Sequence, residues 1–288
     1  MSRATIQARR QTTRAIAKLQ VRDIERVVGR SGLLASRMWR VAADMARSNK
    51  RWLASGPRVK DPDEELLEKA TDELANVMAY SYLLRLKVGN KRRSMAKSLK
   101  LASVFEDATR IADLFDLDLG NIKRRFYPTS SKAVKKSVAD IRTVMNDALA
   151  DVTKLNLPTE QGVAQMLEAI RRHGLQPRST GYIETLVRTH SAIAYGVAHR
   201  ISFEGDLDVW GFEYLTVGDD RVREEHEVLD GIKRKKDDEF WDQFWPPNGW
   251  NCRCQAVAIY DDEVTQTKVP SGASPDPGFE TDFTELLL

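Results

Sequence analysis

Over the first two-thirds of the chain, apolar residues recur every three or four positions, the period of an amphipathic helix. In "DPDEELLEKATDELANVMAYSYLLRL", Leu66, Leu67, Ala70, Leu74, Val77, Met78 and Leu84 keep that spacing. Pro62 and the acids after it suit the start of such a helix, and Gly89 and Asn90 its end. In "SSKAVKKSVADIRTVMNDALADV", Val134, Val138, Ile141, Val144, Met145, Ala148 and Val152 make a second stripe. A basic helical region is expected over 3–54, closed by Ser55, Gly56 and Pro57, and another helix over 95–116. Thr159 is placed to cap a helix with Val163, Met166, Leu167 and Ile170 on its apolar face, ended by Gly174 with Pro177 beyond. The next helix aligns Ile183, Leu186, Val187, His190, Ile193, Ala194, Val197 and Ile201. On that apolar face, His190 reads as a hydrogen-bonded core histidine.

The period then shortens. "DVWGFEYLTVGDD" alternates like a strand, with Trp210, Phe212 and Tyr214 on one side and Val209, Leu215 and Val217 mainly on the other. "CRCQAVAIY" alternates too, which puts Cys252, Cys254, Ala256 and Ala258 on one face. The stretch between opens with a short helical piece, turns at Asp230-Gly231 and crosses a charged loop. The fold class is therefore α+β: a mainly helical N-terminal region, then a small C-terminal α+β domain with a short antiparallel sheet. The expected divisions are 1–157 (helical), 158–262 (the small domain) and 263–288, an acidic tail rich in turn residues and expected to be extended or disordered.

Charge adds an asymmetry that the net +3 conceals. Residues 1–60 carry fifteen Lys/Arg against three acids, a net of +12, and the stretch from Asp261 onward carries seven acids and one lysine, a net of −6. A basic end of this kind suits non-specific contact with DNA, with Arg9, Arg10 and Arg14 as candidate contacts, or an acidic protein. A solvated helix surface accounts for it equally well. No apolar run approaches the roughly 18 residues that span a bilayer. The basic N-terminus lacks the apolar stretch of a signal peptide, so synthesis in the cytoplasm is expected.

The candidate chemistry sits in "WPPNGWNCRC", which holds both cysteines of the chain. A bridge within C-x-C would close a strained ring. Two thiols on one side of a strand, with His226 folded back from 26 positions upstream, supply three ligands of a tetrahedral zinc site. Asp219 or water is then the candidate fourth ligand, and thiolate with imidazole suits zinc better than magnesium or calcium. The alternative is that both cysteines are small buried core residues beneath Trp245 and Trp250. His226 would then hold its turn through Asp230 or nearby backbone. The sequence has no phosphate-cradling glycine loop, nucleophile elbow or H-E-x-x-H, so no enzymatic activity is expected.

Two ordered blocks carry a family resemblance. Asp219, Arg221, His226, Leu229, Asp230 and Gly231 form the first; Pro246, Pro247, Trp250, Cys252, Arg253 and Cys254 anchor the second. Together with the "ETLVRTHSAIAYGVAHR" helix, they resemble the phage Mu F-like head morphogenesis family over about 158–260. The resemblance implies a minor capsid protein of a tailed bacteriophage, made in the host cytoplasm and built into the virion at the head interior or portal vertex. The implied partners are the portal protein and the major capsid or scaffolding protein, with a role in DNA packaging or delivery. The competing function is a metal-dependent DNA-binding or DNA-processing protein, in which the basic region grips phosphate and His226 serves a metal.

Overall fold

The computed structural model describes residues 21–30, 32–48, 59, 61–86, 104–114, 116–155, 159–173, 181–260, 268–280 and 283. Arg9, Arg10 and Arg14 lie outside these residues, as do Ser55 to Pro57, Gly89, Asn90, Gly174 and Pro177. The described chain forms helices α1 (Gly32–Ser48), α2 (Glu64–Arg85), α3 (Val104–Leu114), α4 (Leu119–Lys154), α5 (Thr159–Arg172) and α6 (Gly181–Glu204). Then follow β1 (Gly211–Leu215), α7 (Glu224–Glu227), β2 (Lys233–Lys235), α8 (Phe240–Phe244) and β3 (Gln255–Ile259). A mainly helical region followed by a small antiparallel sheet is the expected α+β class.

Two compact units emerge, each discontinuous in sequence: Gly29–Val77 with Gly120–Val187, and Met1–Val28 with Met78–Leu119 and Arg188–Leu288. The sequence pattern placed a division at 157/158; of the four breaks between these units, those at 77/78 and 187/188 fall inside α2 and α6. Helical periodicity continues across such a break, so it leaves no mark on the pattern.

The first unit is helical. Leu34, Met38, Val41 and Met45 occupy one stripe of α1 and are fully buried. This helix packs on α5, with Arg171 over the Trp39 ring at 5.5 Å. Asp63 caps α2 by accepting the Leu66 N–H at 3.2 Å, and its own N–H donates to Asp44 at 3.1 Å. The stripe expected from Val134 onward belongs to a longer helix, α4, of 36 residues with Pro128 inside it. Pro128 has no N–H to donate to the Arg124 carbonyl. Phe126 and Ser130, both fully buried on either side of it, hold the helix through that gap by packing.

In the second unit α6 is buried around much of its circumference from Thr189 to His199, which marks an enclosed rather than a one-sided helix. The sheet has the order β2-β1-β3 and is antiparallel throughout. Phe212 lies opposite Arg234 and Ala258, and Tyr214 opposite Ala256. Phe212 and Tyr214 enter a core with Leu229, Ile232, Phe240, Trp241, Phe244, Trp245, Cys252, Cys254 and Ala256. Leu215 meets Val257 in a separate cluster, as alternation requires. Val209 departs from its expected side and joins the larger core; it precedes β1, where alternation no longer binds it.

Edge-to-face contacts order this core. Phe212 meets Trp241 at 5.7 Å and Trp245 at 4.9 Å, and the two indoles meet at 5.5 Å. Each indole N–H has a carbonyl partner: Trp241 donates to Lys235 at 2.8 Å and Trp245 to Gly196 at 3.2 Å.

The charged loop expected between the strands contains β2 and α8. Lys233, Arg234 and Lys235 show no apolar alternation because this is an edge strand, where lysine blunts pairing with other chains. Arg234 is buried over the Phe240 ring at 5.4 Å and pairs with Asp238 at 3.6 Å. Trp241→Ala empties the centre of this core, and equilibrium urea unfolding is expected to show a loss of about 3–5 kcal/mol; half-buried Trp210→Ala is expected to lose clearly less.

Candidate functional site

The short helix α7 presents His226 inward, with 2% of its surface exposed, while Glu224, Glu225 and Glu227 face solvent. The segment after it is fixed at the Asp230-Gly231 turn. The Asp230 carboxylate accepts the Thr216 N–H at 2.7 Å and the Thr216 hydroxyl at 3.0 Å. Gly231 adopts φ 80°, a left-handed conformation that favours glycine, and its N–H donates to the Tyr214 carbonyl at 2.7 Å. Leu229 is fully buried between these ties. Asp230 therefore anchors the turn to the end of β1.

Opposite α7, the buried loop from Trp245 to Gly249 includes the cis Pro246–Pro247 peptide. Asn251, in the left-handed region at φ 58°, reverses the chain. Its N–H donates to Thr189 Oγ1 at 3.1 Å, and its side-chain oxygen accepts from Arg188 at 3.0 Å. Trp250 faces His190, with ring centroids 6.1 Å apart. The Cys-Arg-Cys stretch comes just before β3 rather than within it, yet both thiols enter the same core as Tyr214 and Ala256.

His226, Cys252 and Cys254 converge. One ligand atom from each lies within 4.8 Å of the other two, and all three residues are buried. His226 Nδ1 stands 3.7 Å from the Cys252 sulfur and 3.8 Å from that of Cys254. The hydrogen bond from Cys254, together with His226, holds the Cys252 thiol well below its ordinary range. The same bond and burial push Cys254 well above it. Burial works against the charged form of His226, but the hydrogen bond and charge of Cys252 outweigh it and raise the imidazole. Burial likewise raises the Tyr214 phenol, which donates to Asn248 Oδ1 at 2.8 Å.

Asp219 stands apart from this trio. Its carboxylate accepts both guanidinium arms of Arg253, at 2.6 and 2.7 Å, and the Arg221 N–H at 3.2 Å. Arg221 itself is exposed. The pairing of Asp219 with Arg253 fastens the first motif block to the second.

Other contributors carry weak sequence signals. Asn248 is fully buried. Arg223 donates to the Trp250 carbonyl at 2.8 Å and pairs with Asp276 at 3.4 Å. Asp276 accepts the Trp250 N–H at 3.3 Å and donates its own N–H to the Asn248 carbonyl at 2.8 Å. Phe279 stacks edge-on against Trp250 at 5.7 Å. The 268–280 part of the expected loose tail is thus a run of turns packed onto the Pro246–Asn251 loop. Gly249 is needed there, because a Cβ would lie 2.2 Å from an Asp276 oxygen. One aromatic residue and one acid among prolines were the only cues to this docking.

Residues 141–257 match the family described as Phage Mu protein F like protein, a span that begins inside α4 and contains His226 and both cysteines. The chain is similar to Putative capsid assembly protein F of Escherichia phage Mu, 35% identical over 78 residues, or 27% of this chain and 18% of that protein. It is also similar to the Mu-like prophage FluMu F protein of Haemophilus influenzae, 30% identical over 141 residues, or 46% of this chain and 34% of that protein. The chain thus spans about a third or less of the length of these curated relatives. No solved structure matches it.

Arg253, through its hydrogen bonds above all, holds the Asp219 carboxyl below the usual carboxylate range. A lowered carboxyl stabilises the fold above its unfolded pKa, and that contribution disappears as pH falls through the lower folded value. Because Asp219 is 42% exposed, the contribution is under about 1 kcal/mol. Asp219→Asn is expected to cost that small amount at neutral pH. It should also remove the corresponding part of the acid-side loss below about pH 4 in urea titrations run across pH.

Proposed function

From the match of residues 141–257 to the phage Mu protein F-like family, we propose that this chain is a minor head protein of a tailed bacteriophage that joins the portal protein during head assembly. The observation that carries the reading is the family match, which runs from α4 into β3 and contains His226 and both cysteines. It agrees with the capsid-assembly name of the phage Mu relative. In this reading the chain resides in the virion, at the head interior or portal vertex. The major capsid or scaffolding protein is its second partner.

The role is structural. The carboxylates around the thiol–imidazole cluster are already engaged: Asp219 by Arg253, Asp230 by Thr216 and Asp276 by Arg223. Metal-dependent DNA processing needs a metal that a nucleic-acid phosphate can reach, and all three donors here are at most 4% exposed. Those two features favour assembly over processing. The ordered helical and sheet units offer rigid surfaces for docking, and the net charge of +12 over residues 1–60 suits sequence-independent contact with packaged DNA.

Co-expression with the portal protein and the major capsid protein of the same genome tests the assignment. A complex of this chain with the portal protein that survives gel filtration is expected. Co-elution with the major capsid protein alone overturns the portal assignment, and co-elution with neither overturns the head-assembly reading. For the DNA contact, reversing Arg9, Arg10 and Arg14 to glutamate is expected to weaken binding at low salt. It should also flatten the plot of log affinity against log salt, by about 0.9 for each phosphate that is no longer neutralised. An unchanged affinity discards these arginines as contacts.

A further inference from the structure

We propose that Cys252, Cys254 and His226 bind one zinc ion, which staples α7 and the Pro246–Cys254 loop together at the side of β1. The inference does not depend on the head-assembly reading, and its test requires no phage partner.

The geometry is the first support. Two sulfurs and one ring nitrogen, from segments 26 residues apart, converge within 4.8 Å, and all three residues are buried. In a tetrahedral site with Zn–S about 2.3 Å and Zn–N about 2.0–2.1 Å, sulfur and nitrogen lie about 3.6 Å apart. The sulfur-to-Nδ1 distances of 3.7 and 3.8 Å need only a small contraction to meet that edge. Two of the three donor-to-donor edges thus stand close to zinc geometry before any side chain rotates, and the third is within 4.8 Å.

Donor chemistry selects the ion. Thiolate and imidazole are ligands for zinc and other thiophilic cations, whereas magnesium and calcium require oxygen. Charge selects it as well. A divalent cation with two thiolates and a neutral imidazole sums to zero, which suits a site beside the Tyr214 and Phe212 core, where an unbalanced charge is costly. The neighbouring carboxylates, all engaged elsewhere, need not contribute.

With Nδ1 facing the sulfurs, His226 Nε2 lies on the far edge of the ring, buried and without a hydrogen-bond partner among the described residues. The described residues supply three of the four ligands, and in this proposal water fills the fourth position. With every protein donor buried, the ion's role is to stabilise: its binding free energy becomes folding free energy for this end of the chain.

The test uses the full chain, expressed and purified without chelators. Elemental analysis is expected to find about one zinc per chain, as for a single site. Dialysis against a chelator should lower Tm, and adding Zn2+, but not Mg2+, should restore it. Co2+ loaded in place of zinc should give the intense visible bands of a tetrahedral site and the near-ultraviolet charge-transfer band of thiolate ligation. Cys252→Ser, Cys254→Ser and His226→Ala should each reduce the zinc content, while Asp219→Asn retains it. If a ligand variant fails to fold, the chelator and Co2+ measurements on the unaltered protein still decide the matter. Unaltered protein that lacks metal and whose Tm does not respond to Zn2+ overturns the proposal. So does a zinc content that survives all three ligand substitutions, because the ion then lies elsewhere.

Discussion

Phe212 and Tyr214 leave the central strand on the same side, and this end of the molecule is built around that pair. Among the described residues the sheet has three short strands, which bury little apolar surface by themselves. The remaining apolar surface comes from Trp241, Phe244, Trp245, Leu229, Cys252 and Cys254, which join the same core. The indoles contribute area, and each also donates an N–H to a main-chain carbonyl, of Lys235 or Gly196. That fixes their orientation and places the proline-rich loop against α6. The loop's position in turn sets where the two thiols emerge.

Around this apolar centre, polar ties join segments far apart in sequence. Asp230 ties the turn after α7 to Thr216, Asp219 ties the strand exit to Arg253, and Arg223 with Asp276 ties the 268–280 segment to the Trp250 loop. Individually such surface pairs contribute little. Their effect is cooperative, since each closes a different loop over one core, and together they place His226 beside the cysteines. The two motif blocks are thus two halves of one interlocked turn system.

The helices were legible in the sequence wherever a single face is buried, as in α1, α4 and α5, because a 3.6-residue period follows directly from one-sided burial. The pattern did not reveal where the helical chain divides into compact units. Nor did it show that α4 runs on through Pro128, because there packing of Phe126 and Ser130 outweighs a missing hydrogen bond. Strand β2 was hidden for a different reason: an edge strand of Lys-Arg-Lys has no apolar alternation to detect. At the site, residue type and spacing were enough to single out His226, Cys252 and Cys254. Asn248, Arg223 and Asp276 could not be found in that way, since their roles come from long-range contacts between common polar residues with no local period.

The functional account requires that this interlocked region be part of an assembled head. A cryo-electron reconstruction of particles produced with this chain present tests that most directly, with focused classification at the portal vertex. The account predicts density on the inner side of the head, next to the portal, that accommodates the sheet with α6, α7 and the Pro246–Cys254 loop. Purified particles that lack this chain altogether, shown by both the reconstruction and mass spectrometry, would contradict it.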